Sequence, residues 1–383
     1  MKRINFAAAG VVILGLLSGG CGQGAVSTEV QLPSPTAALV STSPPESAEP
    51  TTVPSASPTA AVPTATPGPS LPASLAEINY RTLSELKPLF SIPLGDVIDL
   101  AFSPDHRYLR LRQGNPEGTH TDIFVDLQLG QDIFSLVGNQ RVYFTPDSSL
   151  LEVLDENGVT LIALANGNSQ RVYNSRYQAA ALSTASQLLV ELEEVAGQDP
   201  GTVLHVIDLS TAEEAYQIYI NAILDQEAVH FDDDGELLAA SYLVPPGTYV
   251  AAVWDARRGY LAYTNYGFSE IALHPFGSEV ALANAKQSYI SLVSTVTWGQ
   301  DLYLGLAEDG PAYRDLAYAA GGRLIYALSG DVEAEAAFWY PPSGERLDFD
   351  PGTGLLAVAV SPDRQLLAVS HTSGEVVIWG LPE

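Results

Sequence analysis

Seven segments of this chain line up on one another: FSPDHRYL (Phe102–Leu109), FTPDSSLL (Phe144–Leu151), LSTASQLL (Leu182–Leu189), FDDDGELL (Phe231–Leu238), LHPFGSEV (Leu273–Val280), YAAGGRLI (Tyr318–Ile325) and VSPDRQLL (Val360–Leu367). Their starts are spaced by 42, 38, 49, 42, 45 and 42 residues. Two residues before each start stands an apolar residue: Leu100, Val142, Ala180, Val229, Ile271, Leu316 and Val358. Seven residues after it stands another: Leu109, Leu151, Leu189, Leu238, Val280, Ile325 and Leu367. The residues between are rich in Pro, Asp and Gly. That pattern reads as strand, turn, strand with one buried face. A second hairpin follows in each unit, as in Ala368–Leu381 with Ser373-Gly374 at its turn. A unit of this length cannot bury its own apolar face and must stack on copies of itself.

The period is that of a four-stranded propeller blade, so an all-β, seven-bladed β-propeller is expected. The segments also resemble the WD40 family. An FSPDG-like turn recurs in five recognisable forms, Trp254-Asp255 is a WD dipeptide, and Asp126, Asp208 and Trp379 occupy comparable strand ends. The resemblance covers residues 85–383. It implies the propeller fold and, as is common in that family, a ring closed by a strand from the other end of the chain. It is degenerate: the family's Gly-His dipeptide is missing from every unit, so its Asp-His-Ser/Thr-Trp hydrogen-bond network is not expected here.

The last unit runs out after VVIWGLPE (Val376–Glu383), before a fourth strand. KPLFSIP (Lys87–Pro93) precedes the first unit and has strand composition, so it is expected to supply the missing strand. Before it, Ser74 and Glu77 are spaced as a capping box and apolar residues recur at helical spacing to Leu86, which predicts one short helix.

The amino terminus is of another kind. Lys2 and Arg3 precede an apolar run, Phe6–Leu17, and LSGGC (Leu17–Cys21) ends at the only cysteine of the chain. This resembles the lipobox of bacterial lipoproteins, with its aliphatic residue one place further from the cysteine than is most common. The resemblance implies cleavage after residue 20, a lipid on Cys21 and anchoring at the extracytoplasmic face of the cell membrane. An uncleaved spanning helix would need about 20 apolar residues, more than this run supplies. Residues 21–73 then read as a lipidated, disordered tether. They repeat Pro, Thr, Ser and Ala without an aromatic or basic residue, and such a stretch cannot bury enough apolar area to offset the entropy of ordering it. At about 3.1 Å per residue it reaches on the order of 100–150 Å. Residues 74–383 are the expected propeller.

Formal charge is −28, and removing the signal segment makes it more negative. Such a surface repels nucleic acid, so none is expected as a partner. No two of the six histidines stand at metal-ligand spacing and no G-x-S-x-G occurs. FDDDGEL (Phe231–Leu237) looks superficially like a calcium loop. An EF-hand register, however, puts His230 at the first ligand position and Ala240–Ser241 where the glutamate belongs, so a solvated turn is the reading and no metal or cofactor is expected. His230 is unusual, because five other units carry alanine at its position, and it is a candidate channel residue. The loops entering each inner strand and the middle hairpin turns share one face of a propeller. From them come the further candidates Asp96, Arg176, Tyr266, Asp309, Arg314 and His371.

These features favour a monomeric, lipid-anchored interaction module for a protein or glycan, with blades as scaffold and loops as specificity. A propeller enzyme of the glycosidase, lactonase or lyase type, using carboxylates or a metal at the channel mouth, is the alternative. An accessory lipoprotein of envelope protein assembly is a third reading.

Overall fold

The computed structural model describes residues 71–383 apart from 73, 116–117, 198–199, 225–227, 308–311 and 330–333. Cys21, the signal segment and nearly all of the tether lie outside the described residues.

The described residues form seven four-stranded antiparallel sheets. Blades 1 to 6 take residues 97–138, 141–174, 178–220, 229–266, 268–307 and 313–347, each with its strands in chain order from the inside out. Blade 7 has its three inner strands from residues 355–380 and its outer strand from Lys87–Pro93. That strand pairs antiparallel with Glu375–Gly380, Phe90 opposite Ile378 and Ile92 opposite Val376. The ring is closed as expected, a seven-bladed β-propeller with two distant parts of the chain in one sheet.

Each repeated segment is the hairpin between first and second strands. Its first and eighth residues are direct cross-strand partners in every blade, from Phe102 opposite Leu109 to Val360 opposite Leu367. All seven residues in the eighth position are fully buried, and the seven two places before the start are buried too. These two apolar rows supply residues to each of the seven buried clusters between and within the blades. The fifth residue of the segment takes a left-handed conformation in six blades, at His106, Ser148, Gly235, Gly277, Gly322 and Arg364. This is why glycine recurs there: it alone adopts positive φ without steric cost. In blades 1, 2 and 7 the turn tolerates another residue because Ser103, Thr145 and Ser361 donate side-chain hydrogen bonds to Asp105, Asp147 and Asp363 and brace it. At the ends of third strands, Asp126, Asp208 and Asp255 accept hydrogen bonds from turn amides, which accounts for aspartate at those places.

The segment before the closing strand corrects the sequence reading. No helix begins at Ser74; only Leu83–Glu85 makes a single 3₁₀ turn. Leu75, Ile78, Leu83 and Leu86 are buried, but mostly along an extended strap. The Ala76 and Ile78 amides donate to the carbonyls of Leu381 and Arg364, and Leu75 bridges Pro382. Glu77 forms ion pairs with Arg323 and Arg364. Docking on blades 6 and 7 outweighs a local helical preference of a few tenths of a kcal/mol per residue.

Candidate functional site: the central channel

An inner strand presents one unpaired edge to the propeller axis, and its inward carbonyls need donors. Here they come from side chains of earlier blades, in most cases the preceding one. Arg110 of blade 1 donates to the Val142 carbonyl of blade 2 at 3.0 Å. Arg141 of blade 2 donates to the carbonyls of Ala180 and, at 3.2 Å, Val229. His230 of blade 4 reaches Ile271 of blade 5 at 3.0 Å, and Tyr326 of blade 6 donates to Val358 of blade 7 at 2.6 Å. All five acceptors belong to the buried apolar row two places before the segment start.

Within that ring lies a cavity of about 850 Å³, lined chiefly by the inner strands of blades 1 to 4. Arg110, Arg112 and Arg141 face it with positive charge, Asp99, Asp233 and Asp315 with negative, and His230 lines it as well. Asp99 pairs with Arg110, Asp315 with Arg314, and Asp122 holds Arg112 bidentately at 2.9 and 3.0 Å. Asp99, Arg141, Glu270 and Asp315 occupy one register, three places before the segment start. The repeat alignment carries this charged row beside the apolar ones.

Burial sets the protonation of His230 and of two carboxyls outside the lining of this cavity. The His230 imidazole is pushed down to about 4 by desolvation, so at neutral pH it is uncharged and Nε2–H donates to Ile271. Glu152 and Glu270 are pushed up to about 7, both first by desolvation, Glu270 also by Asp315. These carboxyls belong to blades 2 and 5. Because their folded values exceed the unfolded ones, the folded state favours the proton. Their penalty is absent well below pH 4.5 and grows as pH rises to about 7. Glu152→Gln and Glu270→Gln should therefore each be more stable than the parent at pH 8, by on the order of 2–3 kcal/mol, and nearly equal to it at pH 4. Urea titrations at the two pH values check this; equal gains at both would refute it.

The other sequence candidates are distributed around the ring. Asp96 is exposed between blades 7 and 1, and Arg176 is exposed before blade 3, its amide donating to Glu191 at 3.3 Å. Tyr266 is 64% exposed at the end of blade 4. Arg314 is drawn to Asp315 and to the Leu355 carbonyl, and His371 lies 3.4 Å from the Thr353 carbonyl. Asp309 lies outside the described residues. Among the described candidates, His230 is the one on the wall of the cavity, beside the acidic turn Asp232-Asp233. Among the described residues no group of three or more His, Cys, Asp or Glu is placed to hold a metal ion, and no helix is long and apolar enough to cross a membrane.

Compared with known proteins, the chain matches no protein-family model, and no curated protein is significantly similar to it in sequence. The fold and the residues themselves therefore carry the functional reading.

Proposed function

We propose that this protein is a lipid-anchored, extracytoplasmic propeller of the WD40-like type that acts as an interaction module for a protein or a glycan. The observation that carries the reading is how the channel's charged groups are used. Arg110, Arg141, His230 and Tyr326 fasten one blade to the next, and Arg112 is held by Asp122, so the polar wall serves the scaffold. Recognition is left to the exterior. A charge of −28 disfavours polyanions such as nucleic acid and the anionic bilayer surface. A Pro-rich tether holding the domain away from the membrane suits a binding module.

The anchor is tested at its cysteine. Cys21→Ser should move the protein from the membrane to the soluble fraction, and mass spectrometry of the native chain should find a diacylated amino-terminal Cys21. An intact peptide containing Lys2 and Phe6 would overturn the anchor.

A further inference from the structure

Where the strap crosses the first hairpin turns of blades 5 and 6 it leaves a groove of about 400 Å³. Glu77, Tyr80 and Arg81 line it from the strap, His274 from blade 5, and Arg323 and Tyr340 from blade 6. Its charge runs against that of the chain, which carries 45 acidic residues and 17 basic ones. Two guanidiniums, Arg81 and Arg323, face it with one carboxylate, Glu77, and Glu77 is shared with a third guanidinium, Arg364.

Elsewhere on the surface arginines are matched to carboxylates, as Arg107, Arg171, Arg257 and Arg258 are. Arg81 forms no ion pair among the described residues, yet its guanidinium is positioned. Its Nε–H donates to the Tyr80 hydroxyl at 2.8 Å, and its guanidinium lies 5.1 Å over the Tyr80 ring. That ring stacks in turn on Tyr340, centroids 4.3 Å apart and planes 19° apart. The column Tyr340–Tyr80–Arg81 holds the cation by its Nε side and its face. Nη1 and Nη2 are left without a hydrogen-bond partner among the described residues. A guanidinium ordered beforehand with its fork open binds an anion at a lower entropic cost than a free side chain.

His274 supplies a second open donor. The Phe276 amide donates to its Nδ1 at 3.2 Å, so the ring proton sits on Nε2. Burial pushes this imidazole down, which keeps it neutral at pH 7. Its Nε2–H has no hydrogen-bond partner among the described residues. Nε2 stands against Gly322, which also lines the groove, and a Cβ at Gly322 would collide with it.

We propose that this groove captures the carboxyl terminus of a partner polypeptide, its terminal carboxylate accepting the Nη1 and Nη2 fork of Arg81, with Arg323 and the His274 Nε2–H as further donors. The inference rests on the interaction-module reading and assigns its protein branch. A carboxylate matches a guanidinium fork with two parallel hydrogen bonds. A chain end brings that group whatever its sequence. The charge of −28 selects among carboxylates: a polyuronate would bring many negative charges to an acidic surface, and a chain end can bring one. At about 400 Å³ the groove has the size of a small-ligand cleft, so it admits the end of a chain and not a folded surface.

The test uses the intact mature protein and fluorescein-labelled hexapeptides ending in Ala, Leu, Phe or Lys, each as free acid and as carboxamide, read by fluorescence anisotropy at low salt. At least one free acid should bind with Kd of about 1 mM or below, and its carboxamide at least about tenfold more weakly. Arg81→Ala should keep the melting temperature within a few degrees, because Arg81 is exposed, yet weaken the free acid by at least about tenfold. Arg81→Lys keeps the charge without the fork and should fall between parent and Arg81→Ala. The proposal is overturned if no free acid binds, if acid and carboxamide bind alike, or if Arg81→Ala binds like the parent. It is also overturned if acetate or digalacturonate binds as tightly as the peptide, which would make the groove a site for a free carboxylate or an acidic sugar. Loss of peptide binding with Cys21 lipidated and a glycan retained elsewhere would sink the groove and leave the module. Free-acid binding by a chain that is not lipidated would sink the anchor and leave the groove.

Discussion

Deleting residues 74–93 should abolish cooperative folding of the propeller. The deletion removes the outer strand of blade 7 and the strap that feeds it, with Leu75, Ile78, Leu83 and Leu86 all buried. At about 1.5–3 kcal/mol for each buried side chain, that loss alone is comparable to the whole stability of an ordinary domain, about 5–15 kcal/mol. It also leaves Glu375–Gly380 as an open edge with Val376 and Ile378 exposed, which invites aggregation. Deleting residues 22–70 should leave melting almost unchanged. Cysteines at Ile92 and Val376, directly opposed in the ladder, should crosslink within the monomer in a Cys21→Ser background and slow unfolding. A 74–93 deletion that melts like the parent would mean the ring is not held shut by this strand.

Why that closure was legible in the sequence, and the channel was not, follows from the range of the interactions. Turn chemistry and apolar pairs are local: Phe102 and Leu109 are seven residues apart, and the same pair recurs seven times. A missing fourth strand and one spare strand-like segment then left a single way to close. The channel latches are not local. Arg110 finds its acceptor 32 residues on, Arg141 finds one 88 residues on, and nothing near either residue announces the partner. His230 stands out in the sequence because it breaks a row of alanines, but its use, neutral and bonded to Ile271, depends on the neighbouring blade. The helix expected from Ser74 failed for the opposite reason. The local signal was present, and tertiary pairing of Ala76 and Ile78 with Leu381 and Arg364 overrode it.

Asp122→Ala should be the most damaging single substitution in the described propeller. The carboxylate is 1% exposed on the face of blade 1 that meets blade 2. It accepts both Nε and Nη2 of Arg112, and Arg110 Nε stands 3.9 Å away. Arg112 Nη2 also donates to the Gln140 carbonyl at 2.7 Å, and Arg110 to Val142, so the two guanidiniums join blade 1 to blade 2 beside the apolar cluster of Phe124, Val142 and Leu151. Without Asp122, two buried cations share Asp99 alone. Removing one partner of a buried pair typically costs about 3–5 kcal/mol, because the remaining charge stays desolvated. Asp122→Asn keeps the shape and loses the charge, and should lie between parent and Asp122→Ala. The combined change Arg112→Met with Asp122→Leu should recover much of the loss, because it removes the charges together. Urea denaturation of the four proteins distinguishes this from a simple packing defect. If the double variant is no more stable than Asp122→Ala, the uncompensated guanidinium is not the cause. If Asp122→Ala costs less than about 1 kcal/mol, the network does not fasten blade 1 to blade 2.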